Sequence, residues 1–192
     1  MEMKEKKEYA DLTYEQVSSW INNCDSKASI LLALIGVILS IVFTNDFILG
    51  GITERINQVV NVFKEEASNS VCDIIITYAI LIILVLSIGY LICSLSKMIQ
   101  VLYARLDDSR DKENPSVSYF RSIAAKSFDD YKSIVDGISK ESLVDDKLHQ
   151  VYDCSCICTR KFTLYNDGVK SMKIGLILFA VYLLLFIVSA SL

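Results

Sequence analysis

Three stretches of the chain, residues 28–44, 74–95 and 174–192, are almost free of charge, and charged or amphipathic segments separate them. The second and third run about 20 residues, the length at which a helix crosses about 30 Å of hydrocarbon. The first is shorter and is bounded by Lys27 and Asp46. This pattern predicts three transmembrane helices. The layout that follows is an N-terminal cytoplasmic helix over 1–27, a span over 28–44, and an external loop with an amphipathic helix over 45–73. A second span over 74–95, a cytoplasmic helical region over 96–173 and a third span over 174–192 complete it.

Between the spans, the periodicity is helical throughout. Thr13 followed by Gln16 forms a capping-box pattern and predicts a helix start there, with no Pro or Gly to stop it before the first span. Gly50-Gly51 predicts a break, after which Ile52, Ile56, Val59, Val60 and Phe63 recur as one apolar face. The second span is expected to continue past Leu95 through Met98 and Leu102 and to end before Asn114-Pro115, because a residue preceding Pro avoids helical geometry. Ser127 with Asp130, and Ser142 with Asp145, are further capping patterns; the helix opened by Ser127 should end near Gly137. From Val144 the positions Leu148, Val151, Ser155, Cys158, Phe162, Tyr165, Val169 and Met172 step by 4 and 3, the heptad spacing of helices packed nearly parallel. Gly168 is the place for a bend in that run. No alternation of period two is long enough for a sheet, so the fold class is an all-α membrane protein. Three transmembrane helices carry a cytoplasmic helical bundle made of their extensions and one or two short helices.

Composition sharpens the topology. The 192 residues are 53% apolar and 22% charged, against roughly 45–50% and 25% for average soluble domains. Of the nineteen Lys and Arg, four precede the first span, two lie in the loop after it and thirteen fall between the second and third spans. The positive-inside rule therefore puts the N-terminus and residues 96–173 in the cytoplasm. The first apolar stretch follows a charged segment and lacks a small-x-small cleavage site, which argues against a removed signal peptide. A net charge of −4 with no basic stripe argues against a nucleic-acid polymer as partner. The six cysteines lie mostly in spans or on the reducing side, which argues against a disulfide framework.

Candidate chemistry concentrates at the start of the first span. Catalysis finds little support: the single histidine, His149, has no carboxylate or cysteine in a recognisable catalytic order, and no Gly-rich phosphate loop occurs. Cys154, Cys156 and Cys158 cannot converge on one metal ion from a helix, since residues two apart point about 200° from each other. Trp20, Cys24 and Lys27 are spaced to share a helix face, with Asp25 beside them. Trp20 and Lys27 also suit a simple interfacial anchor. Arg160 and Lys161 sit about three turns before the third span, a height that a helical hairpin brings level with the start of the first. A tryptophan ring, a carboxylate and cationic groups gathered there suit an anionic nucleotide: stacking for the base, charge for the phosphate and a carboxylate for a hydroxyl or amino group. The alternative is an ordinary ion pair at the membrane surface. Ser29/Ala33 and Gly36/Ser40 are small-x-x-x-small pairs that suit close helix approach or ordinary membrane residues equally.

The N-terminal run Trp20-Ile-x-x-x-Asp25-x-Lys27-Ala28-Ser29-x-Leu-Leu-Ala33-x-x-Gly36 resembles the opening signature of the transmembrane effectors of Pycsar, the pyrimidine cyclase system for antiphage resistance. Tyr119-Phe120-x-x-Ile123-Ala124, Ser127-Phe128, Leu148-His149-Gln150-Val151-Tyr152 and Ile157-x-x-x-Lys161-Phe162 follow in the same order. Cys24 stands where that family commonly has a small residue, and the Cys154–Cys158 cluster is outside its pattern. The resemblance implies a multi-pass protein of the bacterial inner membrane with no enzymatic activity and no cofactor. A neighbouring cyclase would make cyclic CMP or cyclic UMP, and the effector would bind it, act on the lipid bilayer as a homo-oligomer and end the infection by killing the cell. Trp20, Asp25 and Lys27 would belong to the signature region, with Arg160 and Lys161 added on physical grounds. An ungated or differently gated toxin and a non-enzymatic membrane adaptor are the competing readings.

Overall fold

The computed structural model describes residues 2–44, 46–63, 71–103 and 116–191, and all regular structure among them is helical. Six helices are described: α1 (Met3–Thr44), α2 (Asp46–Phe63), α3 (Val71–Leu102), α4 (Phe120–Ala124), α5 (Phe128–Gly137) and α6 (Lys140–Ser191). α1, α3 and α6 each contain a stretch long and apolar enough to cross a membrane. The chain divides into two compact units, one formed by Met1–Ser26 with Tyr103–Thr163, the other by Lys27–Leu102 with Leu164–Leu192.

In the first unit α1 and α6 run in the same direction. Two side-chain contacts fix this: Tyr14 meets Lys147, and further along both helices Asp25 meets Lys161. Within this unit Ala10, Val17 and Cys24 are the buried positions of α1, one every seven residues. The buried Val144 and Cys158 of α6 are fourteen apart, in step with Ala10 and Cys24. This is the heptad register expected for helices packed side by side. Ser116 joins the segment before α4 to α6, since its hydroxyl accepts from the backbone N–H of Ser118 and Tyr119 and from Gln150 Nε2. Ser127 caps α5 by accepting from the Asp130 N–H at 3.2 Å, and α5 ends at Gly137, as the sequence predicts.

Two predicted helix starts move. α1 begins at Met3 rather than Thr13, and Thr13 turns its hydroxyl back onto the Tyr9 carbonyl at 2.7 Å. Helical residues precede it, so a carbonyl four residues back is available and no terminal N–H needs a cap. The last helix is capped by Ser139, whose Oγ accepts from the Ser142 N–H, three residues before the predicted Ser142 cap. The predicted stop before Asn114-Pro115 lies outside the described residues.

In the second unit α3 and α6 are antiparallel. Ser87 donates to the Gly175 carbonyl at 2.9 Å and Ser94 to the Gly168 carbonyl at 2.8 Å, so seven residues forward in one helix is seven back in the other. The next step in that ladder is Ile80 and Tyr182, both buried, in a cluster with Leu84 and Phe186. α6 passes through Gly168 as continuous helix, and the missing side chain leaves room for Met98. Its demand also moves the seam. Beyond Tyr165 the buried positions are Gly168, Ser171, Gly175, Tyr182 and Phe186, with Val169 and Met172 only partly covered.

α2 also departs from expectation. It runs through Gly50 and Gly51 without a break, and Gly51 faces the Phe186 ring so closely that a Cβ there would meet it. The predicted apolar face is partly turned out, with Ile56 and Val60 exposed, while Arg55 is 8% exposed with its guanidinium carbon 5.5 Å from the Phe186 ring centroid. A guanidinium lies well on an aromatic face, and isoleucine and valine are the side chains that tolerate lipid.

Candidate functional site

The first unit gathers two of the five candidate residues. Lys161 Nζ lies 2.6 Å from Asp25 Oδ1, joining α6 to α1. The side chains are 14% and 33% exposed, so the pair is shielded on most sides. Asp25 follows the fully buried Cys24, and Lys161 stands one turn beyond Cys158, itself 7% exposed. The pair therefore flanks the buried layer formed by Cys24 and Cys158.

Trp20, Lys27 and Arg160 stand apart from it. Trp20 is 49% exposed, and Lys27 and Arg160 are exposed. Trp20, Cys24 and Lys27 lie within about 60° of one another around α1, and along that face Cys24 is buried while Trp20 and Lys27 are exposed. At about 100° per residue Trp20 and Asp25 are about 140° apart around α1. The two residues flank the seam, and of the two it is Asp25 that meets Lys161 of α6. The hydropathy of α1 does not reveal this, because the small Ala10, Val17 and Cys24 define the seam, not the large aromatic ring.

A second cross-helix contact escapes a reading by motif. Lys147 Nζ lies 3.6 Å from the centroid of the Tyr14 ring. One turn on, Gln150 Nε2 reaches both Ser116 Oγ and Asp146 Oδ2, each at 3.3 Å. The signal available was position: Lys147 immediately precedes Leu148 in the heptad run, and a lysine beside a seam reaches across it with its stem packed and its ammonium free to find a ring.

Two thiols of this unit, Cys154 and Cys158, are shifted towards the protonated form. Burial, then the neighbouring charge of Asp153, pushes Cys154 up from the ordinary value, with Cys158 adding to the rise and Lys147 opposing it. Burial likewise raises Cys158, against the pull of Lys161. A raised thiol is a poor nucleophile and a poor metal ligand. Among the described residues no three or more His, Cys, Asp or Glu side chains are grouped to hold a metal ion.

The geometry thus joins a signature carboxylate of α1 to a cation of α6, and comparison with known proteins bears directly on that signature. The model of the Pycsar effector protein domain matches residues 9–188. The chain belongs to the Pycsar effector family. It is 33% identical over 181 residues to the Pycsar effector protein GmPycTM of Gulbenkiania mobilis, covering 92% of this chain and 91% of that one. No solved structure matches. The resemblance carried by Trp20, Asp25, Lys27 and the later motifs is thereby confirmed across nearly the whole of this Pycsar effector.

Proposed function

We propose that this Pycsar effector is an antiphage defence protein of the bacterial inner membrane, gated by cyclic CMP or cyclic UMP from a neighbouring cyclase. Membership of the family over residues 9–188 carries this reading, and the three long apolar helices give it a means of acting on the bilayer. On nucleotide binding the protein, as a homo-oligomer, impairs the membrane and ends the infection by abortive death of the cell. It makes and breaks no bonds. The N-terminal part of α1 and residues 96–173 face the cytoplasm, where the nucleotide is made.

Trp20, Asp25, Lys27, Arg160 and Lys161 form the sensor in this reading. Exposed Trp20 offers a ring to the base, exposed Arg160 and Lys27 offer charge, and Asp25 with Lys161 forms the polar contact between the two helices. A ligand that moves a population from about 1% to 99% active must bind the active state about ten-thousandfold more tightly. A charged ring phosphate held at several cations, repeated over an oligomer, has the chemistry for that difference.

Calorimetric titration of cyclic CMP, cyclic UMP and cyclic AMP into the full chain in detergent tests the reading, beside an Asp25→Ala Lys27→Ala variant. Micromolar or tighter binding of one pyrimidine nucleotide is expected, with loss in the variant. Absence of binding by all three would remove the nucleotide reading and favour an ungated toxin or an adaptor.

A further inference from the structure

Asp25 and Lys161 meet in a way that an incidental surface pair does not. Exposed ion pairs are long, mobile and screened. Here the Lys161 side chain is 14% exposed, the separation is 2.6 Å, and the partners are 136 positions apart in sequence. The contact sits beside the layer of Cys24 in α1 and Cys158 in α6, in a seam whose other buried positions include Ala10, Val17 and Val144. Apolar layers of small side chains tolerate rotation of one helix against its neighbour, because Ala, Val and Cys carry little shape. A directional charge-assisted contact beside such a seam removes that freedom. Both partners lie on helices that continue without interruption into apolar stretches.

From this we infer that the Asp25–Lys161 pair is a resting-state lock, opened by an anionic phosphate group that takes Lys161 from Asp25. The inference rests on the nucleotide reading only for the identity of the anion. Lys161 is the shielded cation of the pair, and the next residue, Arg160, is exposed on the same turn. A phosphate arriving at Arg160 is one helical position from the ammonium it must capture. A phosphate oxygen competes with a carboxylate oxygen on equal chemical terms, and the second cation at Arg160 tips the exchange. Asp25, once released, is an acceptor for a sugar hydroxyl or an exocyclic amine. Loss of the ammonium takes away the directional contact that holds α1 and α6 in their resting register. The Tyr14–Lys147 contact lies further back along the same two helices and holds that end in place.

The test uses the full chain reconstituted in dye-loaded phospholipid vesicles with no nucleotide present, and growth of cells expressing it with no cyclase. Asp25→Asn, which keeps the shape and removes the charge, is expected to leak at least tenfold faster than the native chain and to slow growth. The exchange variant, Asp25→Lys with Lys161→Asp, restores attraction across the seam and is expected to return leakage to within about twofold of the native rate. Helical content and melting temperature are followed for each. Quiet, folded Asp25→Asn vesicles would overturn the lock, and so would leakage from a folded exchange variant. Where Asp25→Asn does not fold, Lys161→Gln with the exchange variant decides the matter by the same criteria. Because every readout is ligand-free, a failed lock is distinguishable from a failed nucleotide reading, which shows instead as absent calorimetric binding to the native chain.

Discussion

Ser94 donates its hydroxyl to the carbonyl of Gly168 across 2.8 Å, from one apolar helix to another running the opposite way. Seven residues along, Ser87 does the same to Gly175. A serine facing hydrocarbon needs an acceptor, and a glycine in the opposing helix allows the backbone to come close enough to be one. Each such contact contributes about 0.6–2 kcal/mol in a membrane. The repeat sets the register of α3 against α6.

The two glycines should tolerate a methyl group unequally. A Cβ at Gly175 would meet Leu91 Cγ at 3.0 Å and the Leu91 backbone nitrogen at 3.2 Å, and a backbone atom cannot swing away. At Gly168 the nearest atom is the terminal methyl of Met98 at 2.5 Å, the free end of a flexible chain. Gly175→Ala should therefore cost about 1–3 kcal/mol, as overpacking does, and Gly168→Ala clearly less. Denaturation of both variants in the same detergent checks the order; equal losses would mean that the α3–α6 approach is looser than these distances.

Tyr182 predicts a gain rather than a loss. Its ring is packed between those of Phe179 and Phe186, while its hydroxyl is buried with no hydrogen-bond partner among the described residues. An unsatisfied buried hydroxyl costs about 1–3 kcal/mol. Tyr182→Phe removes that cost and keeps the ring, so the melting temperature should rise by a few degrees. A fall would show that the hydroxyl has an acceptor in the working protein.

What the sequence made legible was what depends on composition over many residues. The three apolar stretches, the absence of sheet periodicity, the α5 cap at Ser127 and the α6 register through Val144 and Cys158 all follow from repeated or strongly local signals. Single glycines misled, because a glycine weakens an isolated helix but in a packed one admits a neighbour, as Gly51 admits Phe186 and Gly168 admits Met98. Arg55 misled for a related reason: hydropathy assigns it to water, and an aromatic face accepts it instead. At the candidate site the level of Lys161 against Asp25 was legible from the distance of each to its apolar stretch, but the hairpin expected there is a parallel pair, since Tyr14–Lys147 and Asp25–Lys161 advance together. The outward turn of Trp20 was not legible, since it depends on which small residues of α1 are buried.

The raised Cys158 thiol gives a pH dependence of definite sign. In the unfolded chain the thiol ionises near its ordinary value of 9.0, while burial holds the folded one protonated to higher pH. Above the ordinary value the unfolded state therefore binds fewer protons, and stability falls as pH rises. The contribution is intact below about pH 8.5 and disappears progressively as pH climbs through the folded value. Urea midpoints measured across that range should fall more steeply for the native chain than for Cys158→Ala. Parallel slopes would assign the alkaline loss to other groups. Alkylation at neutral pH should also be slower at Cys158 than at exposed Cys156.

Arg55 should hold α2 in place through the face of Phe186. Its guanidinium is stacked rather than solvated, and such contacts are worth about 0.5–2 kcal/mol, more when shielded from water. Arg55→Ala removes the stacking and the packed stem together, so α2 should open more often while α3 and α6 keep their serine–glycine ladder. Amide exchange in α2 should then accelerate by about fivefold to thirtyfold, the range that corresponds to about 1–2 kcal/mol. Arg55→Lys keeps the charge but loses the planar face, and exchange should fall between the two. If Arg55→Lys instead matches the native rate, charge alone holds the helix and the ring is incidental. Unchanged exchange in Arg55→Ala would mean that α2 is held by its apolar contacts, Ile52 foremost, since that residue packs against the Ile80–Tyr182 cluster.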